Sequence, residues 1–234
     1  MLFMGIYQSI IRSERVIMSE FFNVDNKFFQ GLGKIIDCVC LSLLWVLFST
    51  PIITAGAATT ALYYTVNKVI RNNRGYIWGE FWSAFKSNFK QSTVVGLLLL
   101  LLYVLMGVDC YIMYQYAKAG ESYGSFYVVF IVMMALMTVW ANYLFPYMAR
   151  FANQTKLVLK NCALISIANF PWSILLFVIF LIALVVFILV PASIFILPCI
   201  YMVFANLILE KVFKKYMTPE DLAAEEERNR EYYN

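Results

Sequence analysis

Apolar residues come in long blocks along this chain, and polar residues gather between them. Six blocks stand out, at residues 35–50, 52–66, 93–114, 125–148, 173–190 and 192–209. About 20 apolar residues in helical conformation cross a hydrocarbon core, so the pattern predicts an all-α, polytopic transmembrane helical bundle of about six spans. The first two blocks are short and nearly contiguous. Ser49, Thr50 and Pro51 lie between them, which predicts a tight helical hairpin. Pro51 falls at or near the first position of the second helix, where its missing N–H costs little. Ala55, Gly56, Thr59 and Thr60 then form a small-residue face that lets a neighbouring backbone approach. The same stretch also reads as an interrupted helix lining a substrate site.

The two longer polar connections look alike. In the first, Trp78, Phe81, Trp82, Phe85 and Phe89 recur at helical spacing with Lys86 and Lys90 in other directions. That is the pattern of an amphipathic helix lying in a membrane interface. Residues 156–167 carry a weaker version. Each connection ends alike, in SNFKQS at 87–92 and ANFPWS at 168–173. Asn88/Asn169, Phe89/Phe170 and Ser92/Ser173 share one offset of 81 residues, at which the flanking spans also superpose. Two span–interfacial helix–span units in the same orientation are therefore expected, as in parallel repeats.

Composition sharpens the class. Hydrophobic residues make up 62% of the chain and charged ones only 14%, well away from soluble domains. The lipid bilayer is thus the first partner, and the net charge of +4 is no argument for nucleic acid. Of the 18 cationic residues, all but Lys118 fall on one side if both termini face the cytoplasm, a strong positive-inside pattern. A first hairpin that enters and leaves on one side gives the same count. There is no histidine, which removes His-based catalysis and the common His-containing metal sites. The five cysteines form no Cys-x-x-Cys pair and read as small buried apolar residues. No phosphate-binding loop, dinucleotide turn or nucleophile motif occurs. The expectation is a protein that is not an enzyme and holds no cofactor or metal.

A few polar residues inside the apolar blocks are candidates for function. Asp37 lies one turn after Lys34, which predicts an interfacial ion pair or, more sharply, a coupling carboxylate. Asp109 and Glu210 sit near span ends and read as interfacial and solvated. Asn142, Asn206 and several tyrosines read either as hydrogen-bonding glue between helices or as a polar cavity. The resulting candidate polar or packing site is Asp37, Pro51, Thr54, Gly56, Thr59, Thr60 and Asn142.

The ends divide from the membrane domain. Residues 1–20 read as an N-terminal extension, with Met18 a possible true start, and residues 21–216 as the membrane domain. Residues 217–234 form a charged cytoplasmic tail. Thr218 is placed to cap a short helix there, with Pro219 at its first position.

The stretch from 21 to 93 resembles the YesL-like family of bacterial integral membrane proteins of unknown function. The matching features are Phe21-Phe22-Asn23, Asp37, Trp45, Ser49 with Pro51, Thr54 with Gly56, Thr59 to Tyr64, and Asn88-Phe89. The resemblance implies a multi-pass protein of the bacterial cell membrane, often encoded near sugar-uptake transporters, and supplies no catalytic residues. The reading that follows is an accessory or regulatory component of carbohydrate uptake, contacting sugar transporter subunits or a second copy of itself. The alternative is a small-solute transporter with a polar cavity near the first hairpin.

Overall fold

The computed structural model describes residues 27–220 together with 222, 223, 225 and 227. The extension, Met18 and Phe21-Phe22-Asn23 lie outside the described residues. Among those described, every regular element is helical. Seven α-helices follow in order: α1 Lys27–Ser49, α2 Ala55–Thr65, α3 Ile77–Lys118, α4 Tyr127–Arg150, α5 Thr155–Ala168, α6 Phe170–Leu189 and α7 Leu197–Phe213.

Four helical stretches are long and apolar enough to cross a membrane: Gly31–Ser49, Ile77–Lys118, Ser122–Arg150 and Phe170–Leu189. The other two blocks are shortened by proline. Pro51 is followed by a 3₁₀ turn, Ile52–Thr54, so α2 has only 11 residues and continues as a π-helical turn, Val66–Arg71. Pro191 opens a second 3₁₀ turn, Pro191–Phe195, leaving 17 residues for α7. Helix length alone therefore supports four crossings, against the six blocks read from the sequence.

The hairpin itself is as expected. The Thr54 hydroxyl donates to the Phe48 and Pro51 carbonyls and closes the turn. A second turn, at 72–76, places Asn73 at φ 48° and Gly75 at φ 77°, left-handed positions where Asn and Gly carry little penalty. From there the chain enters α3, whose 42 residues extend about 63 Å at ~1.5 Å per residue. That is roughly twice the hydrocarbon core. The first amphipathic segment is thus the opening third of α3 rather than a separate interfacial helix. Its aromatic stripe is not simply spread on lipid either. The Phe48 ring lies 5.1 Å from Phe85, 5.4 Å from Trp82 and 5.7 Å from Phe81, centroid to centroid. Phe81 and Phe85 are buried, while Trp78 stays exposed.

The second amphipathic segment is a separate helix, α5. It ends at Ala168, and α6 begins at Phe170 with Pro171 in its first turn, because proline has no N–H to continue the hydrogen-bond ladder. Despite this break the two units bury corresponding residues. Phe81, Ala84, Phe85, Ser92 and Val95 are buried in α3, and Cys162, Ile165, Ser166, Ser173 and Leu176 are buried at the same offset in α5 and α6. Side-chain bonds repeat too. The Asn88 amide donates to the Ala84 carbonyl at 3.0 Å, and the Asn169 amide to the Ile165 carbonyl at 3.0 Å.

Candidate functional site

The small-residue face of α2 meets α3 at a point where the backbones nearly touch. A Cβ on Gly56 would stand 2.3 Å from the Ser92 carbonyl oxygen, and one on Gly96 would stand 3.4 Å from the Gly56 Cα. Beside this crossing the Thr60 and Ser92 hydroxyls share a hydrogen bond of 2.9 Å, with both residues fully buried. Gly56 and Thr60 thus hold the hairpin against α3. Pro51 and Thr54 form the turn, and Thr54 does not line the cavity that Thr59 faces.

Thr59 and Asn142 do face a cavity. It has a volume of about 390 Å³ and is walled by residues of α1, α2, α3, α4, α6 and α7 with Ile194. Three hydrogen-bonded pairs stand in its wall. The Trp45 indole donates to the Thr59 hydroxyl at 3.1 Å, and the Tyr103 and Thr138 hydroxyls lie 2.7 Å apart. The Tyr201 hydroxyl donates to Asn142 Oδ1 at 2.9 Å. No charged side chain lines the space, and most of the wall is aliphatic or aromatic. Asp37 is elsewhere. It is half-buried on α1 and makes no ion pair with Lys34 within 4 Å among the described residues.

The sharpest electrostatic feature centres on a residue read from sequence as solvated. Glu210 on α7 is only 4% exposed. Its Oε1 accepts from the Tyr63 hydroxyl at 2.9 Å and from Asn67 Nδ2 at 3.2 Å. Its Oε2 lies 3.4 Å from an Arg150 guanidinium nitrogen. The same nitrogen pairs with Glu225 of the C-terminal tail, which docks that part of the tail on the bundle. One turn before Glu210, the buried Asn206 accepts from Arg71 through its Oδ1. Four elements therefore meet here: α2 with its π turn, α4, α7 and the tail. Two charges taken out of water need this density of partners, since an unpaired buried charge is costly. Phe213 closes the cluster against the rings of Tyr143, Tyr147 and Phe151.

A signal for this cluster was present but quiet. Asn206 and Glu210 stand four apart, on one face of α7 with Leu209 and Phe213, while Lys211 points elsewhere. Nearby, Lys68 pairs with Glu80 at 2.7 Å. Burial works against the Lys68 ammonium, but the bonds to the Glu80 carboxylate and the Tyr64 hydroxyl more than offset it and hold its pKa above the ordinary lysine value. Cys162 and Cys199 are buried, in line with apolar packing, whereas Cys40 is exposed.

Residues 38–110 match the family model described as "Protein of unknown function, DUF624", with which the YesL-like resemblance is consistent. The match runs from α1 into the latter part of α3 and so contains the hairpin and its crossing with α3. No curated protein and no solved structure matches the chain.

Proposed function

We propose that this chain is a non-enzymatic accessory or regulatory component of carbohydrate uptake in the bacterial cell membrane, acting by helix–helix contact with transporter subunits. The observation that carries this reading is the closed α2–α3 crossing, where the Gly56 backbone lies against Ser92. A carrier for sugars needs a path lined by hydrogen-bonding groups. Here Thr60 and Ser92 satisfy one another, and the cavity beyond them is mostly apolar. The carbohydrate link itself rests on the family resemblance. For topology we propose six crossings with both termini cytoplasmic. In this arrangement α2 with the 3₁₀ turn before it and α7 cross in a locally thin bilayer, and the cationic residues other than Lys118 lie inside.

The test is co-purification from native membranes under mild detergent. Sugar-transporter subunits are expected with the full-length chain and are lost when the contact face is altered. Recovery of the chain without any transporter subunit overturns the proposal. So does saturable sugar flux by the purified chain alone in liposomes, which favours the carrier reading.

A further inference from the structure

We infer that Cys38 on α1 and Cys199 on α7 are a redox pair: a hydroperoxide arriving from the lipid oxidises Cys38, and Cys199 then closes a disulfide that staples the first helix to the last. This goes beyond the accessory role and does not depend on the carbohydrate association.

Three observations converge. The first is contact. The backbone N–H of Cys199 donates to the Ser42 hydroxyl at 3.1 Å, which pins the start of α7 on α1. Cys38 stands four residues before Ser42, on the same side of the helix, and its thiol engages the Cys199 thiol. The second is access. Cys199 is fully buried, whereas Cys38 is half-buried. It lies in the stretch Gly31–Ser49, long and apolar enough to cross a membrane, where Ile35, Ile36 and Leu43 are exposed. An oxidant dissolved in lipid therefore meets Cys38 first. The third is the placing of the other cysteines. Cys40 is exposed but lies two residues on, in another direction around α1. Cys110 donates to the Tyr127 carbonyl at 3.7 Å on α3, and Cys162 is buried on α5.

The chemistry runs in two steps. The Cys38 sulfur attacks the peroxide: an S–O bond forms, the O–O bond breaks, and the leaving alkoxide takes the thiol proton to become an alcohol. Cys38 is then a sulfenic acid. The Cys199 sulfur attacks it, the S–S bond forms, and the hydroxyl leaves as water with the Cys199 proton. The two thiols give up two electrons and the peroxide accepts them. An exposed thiol that is struck first and a sheltered thiol beside it that resolves the product are the two parts such a reaction needs.

The experiment uses the full-length chain in nanodiscs, treated with cumene hydroperoxide, which partitions into lipid, or with hydrogen peroxide, which stays in water. Remaining thiols are alkylated in denaturant, and disulfides are mapped by mass spectrometry of the unreduced digest. One linked peptide pair carrying Cys38 and Cys199, split by dithiothreitol, is expected, with Cys40, Cys110 and Cys162 outside any disulfide. Cumene hydroperoxide should act at a concentration roughly fivefold or more below that of hydrogen peroxide, since exposure to the oxidant governs susceptibility. Cys199→Ser should halt the reaction at the first step, leaving on Cys38 a sulfenic acid that dimedone traps. Cys38→Ser should abolish the disulfide and leave Cys199 free for alkylation. Absence of a linked pair, a sulfenic acid that persists on Cys38 in the unaltered chain, or a disulfide through any other cysteine overturns the pair. Equal potency of the two peroxides, or greater potency of hydrogen peroxide, overturns the lipid route. Mapping of the unaltered chain needs no variant, so it decides even if a substituted chain fails to fold.

Discussion

Helix α3 and the pair α5–α6 are two answers to one pattern. At the offset that carries Ser92 onto Ser173, both bury the same positions and both present a serine to the preceding span. Thr60 meets Ser92 at 2.9 Å, and Tyr143 meets Ser173 at 2.8 Å. Among the positions at which they differ, one decides continuity: Lys90 in the first corresponds to Pro171 in the second. Lysine lets the helix run on, and α3 becomes a single rod. Proline breaks it, and α5 is free to take its own direction under α4. Burial is therefore set by which side chains face the neighbouring helix, and continuity by a single backbone donor. The two properties are independent enough for one to be kept while the other changes.

Exchanging that residue breaks the comparison most directly. Lys90→Pro sits deep inside α3 and should cost about 3 kcal/mol of stability, while Pro171→Lys, at a helix start, should cost well under ~1 kcal/mol. Denaturation in detergent, followed by circular dichroism, reads both, and similar costs would show that continuity does not distinguish the units. Next is the close approach that the first unit has and the second, with Met137 at the corresponding place, does not. Gly56→Ala should cost about 2 kcal/mol by forcing backbones apart. Gly79→Ala, where a Cβ meets nothing within 4 Å, should gain roughly 0.5–1 kcal/mol from helix propensity. A neutral Gly56→Ala in the same assay would refute the tight crossing.

Smaller effects sharpen the likeness. Ser92→Ala and Ser173→Ala should each cost about 1 kcal/mol, as a lost buried hydrogen bond does. Ser173 should cost somewhat more, because its hydroxyl also reaches the Ser166 and Asn169 carbonyls. The smallest effect is at the base of the first unit. Lys68→Met should cost at most ~1 kcal/mol near neutral pH, since the Lys68–Glu80 pair is partly exposed. The Lys68 pKa is raised in the folded state. Its contribution is therefore fully present below the unfolded lysine pKa of about 10.4 and fades as pH rises through the folded value. Wild type and variant should differ in thermal stability at pH 7 and converge in strong alkali.

Much of this architecture is legible in the residues. The helices, the turn at Pro51, the small face of α2 and the two related units all follow from local pattern, because helix propensity, proline and side-chain size act over a few residues. The candidate site was only partly legible. Gly56 with Thr60, and Thr59 with Asn142, belong to two different places, a contact and a cavity, and sequence gives no means of separating them. Glu210 was missed for a related reason. Lys211 and Lys214 are its neighbours in sequence, but Tyr63, Asn67 and Arg150 are its neighbours in space. Pairing over such separations is set by tertiary packing, which periodicity does not encode.

The Glu210 cluster is assembled from residues made at widely separated times. Tyr63, Asn67 and Arg150 leave the ribosome before the helix that carries their carboxylate, and Glu225 follows later still. Until α7 is synthesised, Arg150 has neither of the acidic partners it holds in the finished bundle. Arrival of the last helix supplies the carboxylate that meets Arg150 at 3.4 Å.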